Sequence, residues 1–334
     1  MNKFAELKLF LTQNNQSSYR FDQIINSIFS QKEINFSAMF FLPKELRQQL
    51  EEKFGSFLTV KLVEEKTSSQ AKKVAFSLAD DKRIEAVKMK YRDWQSVCLS
   101  SQVGCPLKCA FCATGKMGFS RHLTVDEIID QLLYFYLEDS GVDTVSFMGM
   151  GEPLLNKNIF PALEIIIDSS LFNISQRKVN VSTVGILPSL KQLIDTFPSV
   201  NIALSLNSPF SKQRQLLMPI EKKFPLGKIF PVLNYHIRTN HRKVFLSYIL
   251  LSGVNDTVGH ADGLADLIRG QGDQAYLYHV NLINFHPVSG VSFKAVSSQQ
   301  TNFFQNRLKR RGVNVTLRRS LGSSLQGVCG QLKT

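Results

Sequence analysis

The sequence predicts an α/β fold, a partial parallel (βα) barrel preceded by a small mixed α+β domain. Three observations predict it. From about residue 95 onward, short strand-like runs alternate with stretches of helical period, the pattern of a parallel sheet wrapped by helices. Before residue 90 that alternation is absent. The chain is 334 residues long and 43% apolar, enough to bury a large core.

Within the first 90 residues, segments 3–14, 20–31 and 43–53 carry helical spacing, and 57–64 with 73–90 alternates like a small sheet. The barrel portion opens with Val97-Cys98-Leu99, a strand that runs into a cysteine-rich loop. Thr124-Val125-Asp126-Glu127 is a capping box. Behind it Ile128, Ile129, Leu132, Leu133 and Tyr136 repeat at helical spacing, so a helix extends to about Glu138. Further strands are expected at 143–147, 179–184, 200–206, 243–250, 277–283 and 313–317, with helices near 157–169, 187–196, 226–238, 259–269 and 299–311. Six or seven such units fall short of the eight of a closed barrel, and active residues then gather at the C-terminal ends of the strands. The expected division is an accessory domain over 1–90, a core over 91–322 and a tail over 323–334.

Composition excludes several classes. No apolar run approaches the ~20 residues of a membrane span, and the N-terminus Met1-Asn2-Lys3-Phe4-Ala5-Glu6 is not a secretory signal. A cytoplasmic protein with no membrane partner is expected. Lys and Arg number 40 against 27 Asp and Glu, a net charge of +13. The excess is concentrated: 210–245 holds eight basic residues and one acidic, and the last 35 residues hold seven basic and none acidic. That distribution suits a polyanion-binding surface, and equally a well-solvated basic protein. Lys72-Lys73, Lys82-Arg83 and Lys88-Met89-Lys90 add candidate phosphate contacts in the first domain.

Five cysteines, an odd number without a secretory signal, argue for metal or thiol chemistry rather than a disulfide scaffold. Cys105, Cys109 and Cys112 form C-x3-C-x2-C. A structural zinc site wants a fourth ligand at short spacing, and His122 is ten residues past Cys112. A four-iron cluster on three cysteines instead leaves one iron free for a small molecule. Ordinary buried thiols and a zinc knuckle are the alternatives.

The same loop resembles the cluster motif of the radical S-adenosylmethionine (SAM) enzymes. The surrounding segments are similar to the RlmN/Cfr family of RNA adenosine methyltransferases: Ser100-Ser-Gln-Val-Gly-Cys105, Phe111-Cys-Ala-Thr-Gly115, Phe147-Met-Gly-Met-Gly-Glu-Pro-Leu-Leu-Asn156, Gly253-Val-Asn-Asp256, Val280-Asn-Leu-Ile283 and Cys329-Gly-Gln-Leu332. The resemblance covers the chain from about residue 20 onward. It implies a partial barrel of the radical SAM type in which Cys105, Cys109 and Cys112 hold a [4Fe–4S] cluster and the open iron binds SAM. Gly151, Glu152, Ser182, the Ser205-Leu206-Asn207 strand end and His286 are then SAM contacts.

By the same resemblance, Cys329 takes a methyl group from one SAM. A second SAM is cleaved reductively to a 5′-deoxyadenosyl radical, which takes hydrogen from that methyl. The carbon radical adds to C2 or C8 of an adenine, and Cys98 releases the product through a disulfide, with Glu85 matching a proton acceptor. The implied partners are 23S rRNA, with tRNA as a further substrate, and an electron donor such as flavodoxin or ferredoxin; a monomer is expected. The chain departs from the family pattern at Asn207, at His286 and across Ser323-Ser-Leu-Gln-Gly-Val328. Glu152-Pro153 resembles the C2 branch, whereas Leu217-Met-Pro-Ile220 and Tyr278-His-Val-Asn281 resemble the C8 branch. Two other classes stay open at this level: a radical SAM enzyme acting on a non-RNA substrate, and a non-enzymatic iron–sulfur RNA-binding regulator.

Overall fold

The computed structural model describes residues 1–138, 141–288 and 290–318, with 321, 325, 327 and 330–333 of the tail. Three helices open the chain: α1 (Lys3–Gln13), α2 (Tyr19–Phe29) and α3 (Lys44–Phe54). The strands β1 (Lys61–Thr67), β2 (Ala71–Ser77), β3 (Arg83–Lys90) and β4 (Gln95–Cys98) follow. A small hairpin, β5 (Gln102–Gly104) with β6 (Phe119–His122), encloses the cysteine loop and a one-turn helix, α4 (Ala113–Lys116). Next come α5 (Val125–Tyr136), β7 (Thr144–Phe147), α6 (Ile159–Ile167), β8 (Val179–Thr183), α7 (Leu187–Thr196) and β9 (Asn201–Ser205). The chain continues through α8 (Ser211–Leu217), α9 (Leu226–Asn240), β10 (Val244–Leu250), α10 (Val258–Arg269), β11 (Tyr278–Asn284), α11 (Ser298–Arg310) and β12 (Asn314–Leu317).

β4, β7, β8, β9, β10, β11 and β12 pair in chain order, every ladder parallel. This is the expected partial barrel: among the described residues the β12 edge does not close onto β4. The residues before 90 differ from expectation. Their strands do not form a sheet of their own, because β3 pairs antiparallel with β4, with Val87 opposite Cys98, so the barrel sheet continues into β3, β2 and β1. A second tie is ionic. Asp130 on α5 pairs with Lys3 and accepts from the Thr59 backbone N–H at 2.6 Å and its hydroxyl at 2.7 Å.

The strands alternate in burial as one-sided packing requires. In β8, β10 and β11 the residues turned to the helices, such as Val179, Val181, Leu246, Val280 and Leu282, are fully buried. Asn180, Ser182, Phe245 and Asn281 face the lumen and are only half-buried. The lumen is therefore polar and partly open, unlike the side-chain-filled centre of a closed eight-unit barrel. The predicted capping box is present: Thr124 accepts from the Glu127 N–H at 3.2 Å, and Glu127 accepts from the Thr124 N–H at 2.9 Å.

Candidate active site

The cysteine loop sits over the C-terminal ends of the barrel strands. Its shape depends on Gly104, whose φ of +75° is a left-handed conformation, and a Cβ there would stand 2.0 Å from the Gly118 carbonyl oxygen. That close approach lets the Cys105 N–H reach the same oxygen at 2.8 Å. Below the loop is a cavity with about 830 Å³ of empty space, partly open to solvent. Cys105, Cys109 and Cys112 line it together with Gly151, Glu152, Ser182, Ser205 and Asn207. Sequence reasoning missed Ser247, Ile249, Ile283 and Arg318, which complete the wall.

Two expected contacts are not on this wall. Leu206 is fully buried, its N–H donating to the Ser247 carbonyl at 2.9 Å and its carbonyl accepting from Arg214 Nε at 3.1 Å. His286 lies half-buried in the loop after β11, and burial holds its imidazole below the ordinary range. Asn207 lines the cavity in a left-handed conformation (φ +58°) that asparagine tolerates. Its Oδ1 accepts from the Ile249 N–H at 2.9 Å.

Glu152 is buried, and burial pushes its carboxyl up to about 7. The Thr183 hydroxyl (2.6 Å), the Val184 N–H (2.9 Å) and the Leu154 N–H (3.1 Å) donate to it. Gly151 lets this turn lie against the hairpin: at φ +98°, a Cβ would meet the Gln102 side chain at 2.6 Å. Beneath the strand ends, fully buried Arg214 pairs with Glu221 and donates to the Leu206, Val184 (3.1 Å) and Ser205 (3.0 Å) carbonyls. Arg214 thereby ties β8 to β9 beside Cys109.

The donor set fits a cluster and SAM. Burial pushes the Cys105 thiol up to about 12 and raises Cys109 as well, so iron binding must displace protons from these thiols. Three thiols with no imidazole among the described lining residues are a soft donor set that suits iron–sulfur chemistry. Among the described residues no three His, Cys, Asp or Glu side chains converge as for a single metal ion. A four-iron cluster fills the space between its own thiolates, which therefore stand farther apart than the ligands of one ion. Apolar Phe147, Met148, Val184 and Met218 beside the serines and Glu152 suit an amphipathic ligand such as SAM.

The end of the tail docks here. The Ala113 N–H donates to the Gly330 carbonyl (2.9 Å), the Thr114 hydroxyl to the Leu332 carbonyl (2.7 Å), and Gln331 to the Pro287 carbonyl (3.1 Å). The Lys333 N–H reaches the Glu85 carboxylate at 2.9 Å, and Lys73 pairs with the same group at 2.8 Å. Glu85 shares a sheet face with Val87, and thus with Cys98 opposite it. Gly330 lines the thiol cavity, whereas Cys329 lies outside the described residues.

The candidate phosphate contacts before residue 90 are mostly spent inside the protein. Lys72 pairs with Glu65 and Glu138, Lys73 with Glu85, Lys88 with Glu138, and Lys82 with Asp80. In the C-terminal basic segment, Arg307 and Arg311 pair with Asp262. Linear charge counts cannot see such pairing between residues distant in sequence.

Comparison with known proteins agrees with the fold. The radical SAM superfamily profile matches residues 99–261. A three-thiol loop over the strand ends of a partial parallel barrel, so matched, defines a radical SAM protein that binds a [4Fe–4S] cluster and SAM. The ribosomal RNA large subunit methyltransferase Cfr of Clostridium botulinum is 43% identical over 99% of this chain and 96% of its own. That of Staphylococcus aureus is 42% identical with the same coverage. A crystal structure of a radical SAM methyltransferase from Sphaerobacter thermophilus is 33% identical, with a TM-score of 0.93 over 99% of this chain and 98% of the other. The chain belongs to the Cfr family of radical SAM methyltransferases.

Proposed function

We propose that this chain methylates a ring carbon of adenosine, C2 or C8, in 23S rRNA, with tRNA as a further substrate, by way of a methylated Cys329. The observation that carries the reading is the docked tail. Gly330, the chain neighbour of Cys329, lines the same cavity as Cys105, Cys109 and Cys112. Relatives that are ribosomal RNA methyltransferases across nearly the whole chain support the RNA substrate.

In this reading the three loop thiols hold the cluster, and Gly151, Glu152, Ser182, Ser205 and Asn207 form the SAM wall. Arg214 positions that wall from beneath, and Leu206 shapes it from the core. C2 and C8 of adenine are electron-poor and do not attack a sulfonium methyl by simple displacement. Bound in the cavity, the cluster and SAM supply a reductively generated radical able to take hydrogen from a methyl group. Cys329 presents that methyl, and Cys98, on the Glu85 face of the sheet, resolves the protein–RNA adduct. Glu85 takes the proton; burial raises its carboxyl above the ordinary carboxylate range, which suits a base. Residues 1–90 contact RNA, 91–322 form the core, and 323–334 carry the methyl-bearing cysteine. The chain works as a cytoplasmic monomer fed by flavodoxin or ferredoxin. No described helix is long and apolar enough to cross a membrane.

The test is nucleoside mass spectrometry of unmodified 23S rRNA incubated anaerobically with reconstituted protein, SAM and reductant. Appearance of 2-methyl- or 8-methyladenosine supports the reading and selects the carbon. Accumulation of 5′-deoxyadenosine without either nucleoside overturns the RNA assignment.

A further inference from the structure

The barrel has a second cavity, at the opposite end of the lumen from the cysteine loop. It holds about 1070 Å³ of empty space, partly open to solvent. Small polar side chains from the lower halves of the strands line it, among them Ser96, Thr144, Asn180 and Asn281. Met148 and Arg318 belong to both cavities, so the two meet within the lumen.

Its rim carries two features with no role in the site above. Tyr91 and Trp94 stack face to face, ring centroids 3.8 Å apart and planes 7° from parallel, and Trp94 is 41% exposed. Arg177 and Lys178, both exposed, stand on the same rim. Arg242 joins them by donating to Asn201 Oδ1 at 2.7 Å. No carboxylate pairs with Arg177, Lys178 or Arg242 among the described residues, and none of the described lining residues is acidic. Arg242 is also buried at Nε, where that N–H has no hydrogen-bond partner. Burial and the neighbouring Arg177 charge together hold its guanidinium below the ordinary range. Cations gathered without counter-charge raise one another's energy, and a bound anion relieves that. An aromatic platform beside unneutralised arginines is how proteins hold single-stranded nucleic acid.

We propose that this N-terminal mouth of the barrel is a nucleotide-binding site, with a base stacked on Trp94 and its phosphate on Arg177, Lys178 and Arg242. An RNA strand and a free mononucleotide share that chemistry. The RNA source is favoured and rests on the proposed RNA substrate. The site would anchor a stretch of the substrate away from the methylated base, adding affinity without touching the chemistry.

Trp94 is the chain's single tryptophan, so its fluorescence reports this mouth alone. The reconstituted protein is titrated with a six-nucleotide single-stranded RNA and, separately, with AMP, corrected for absorbance with N-acetyltryptophanamide. Saturable quenching by RNA is expected. In the Arg177→Ala/Lys178→Ala double variant half-saturation should move roughly tenfold or more, and the slope of log affinity on log salt should fall by about one. These two side chains are exposed, and an unchanged emission maximum and iron content in the variant checks that it is folded. Quenching by AMP at concentrations where RNA is silent makes a free nucleotide the ligand. No saturable change with either probe, or quenching indifferent to the double substitution, overturns the site. Methylation of rRNA with a silent Trp94 would sink this inference alone and leave the proposed function standing.

Discussion

The backbone N–H of Lys333 donates to the Glu85 carboxylate across 2.9 Å, joining two residues 248 positions apart. The carboxylate also holds Lys73, so one buried group fastens the end of the tail to the inner hairpin of the sheet. Replacing Glu85 by Gln removes the charge from both bonds. A charge-assisted bond contributes about 1.5–3 kcal/mol, which corresponds to roughly a tenfold or larger shift in tail docking. Carboxypeptidase trimming of Glu85→Gln, followed by intact-mass spectrometry, should therefore run about tenfold faster than in the parent. Equal trimming rates would show that Glu85 does not hold the tail.

Gly104 sets the cysteine loop, and its substitution has a sharp expected outcome. An alanine Cβ would fall 2.0 Å from the Gly118 carbonyl, in a backbone conformation already unfavourable to it. Gly104→Ala should reconstitute with much less iron and weaker visible absorbance, while far-ultraviolet circular dichroism stays close to the parent. Full iron content would mean that the loop has room the geometry does not show.

Arg214 and Glu221 form a fully buried pair. Removing one partner leaves an uncompensated charge in the core, at a cost of about 3–5 kcal/mol. Arg214→Met should unfold at clearly lower urea concentration than the parent. Arg214→Met/Glu221→Leu should recover part of that loss, since neither charge is left behind. A double variant no more stable than the single one would place the cost in the lost bonds to the Val184, Ser205 and Leu206 carbonyls.

His236 on α9 makes the fold sensitive to acid. It is fully buried, and burial, with Arg242 nearby, lowers its imidazole to about 4. The unfolded chain binds a proton near 6.5 and the folded chain does not until about 4. Stability from this group is therefore complete above 6.5 and is lost as pH falls toward 4. The full difference is roughly 3 kcal/mol at most. The melting temperature of His236→Leu should change less between pH 7.5 and 5.0 than that of the parent. Parallel pH dependence would assign the acid sensitivity to other groups.

Much of this architecture was legible in the sequence. Strand and helix alternation after residue 95 located every core strand to within a residue or two, because one face of each strand is packed under helices and reads as apolar. The three loop thiols and the Met148-Gly-Met-Gly-Glu152 turn were legible because their residue types are rare and closely spaced. Three features were not. The hairpin of β5 and β6 is too short to show a period and depends on Gly104 meeting Gly118. The β3–β4 pairing that carries the sheet past residue 90 is a non-local contact with no local signal. The pairing of Lys72, Lys73 and Lys88 with Glu65, Glu85 and Glu138 turned a run of apparent surface charge into internal ion pairs. Ser247 could have been found, since it sits opposite Ser205 in the parallel ladder and shares its face.

The proposed route carries the methyl group to the base by way of Cys329 and a hydrogen abstraction, not by direct displacement. Its most direct test uses SAM with a fully deuterated methyl group and mass spectrometry of the methyladenosine formed in 23S rRNA. A methyl that loses one hydrogen before it bonds to carbon and regains one from elsewhere carries two deuteriums, and Cys329→Ala should yield no product. A product retaining all three deuteriums, or one formed at full yield by Cys329→Ala, would rule out that route.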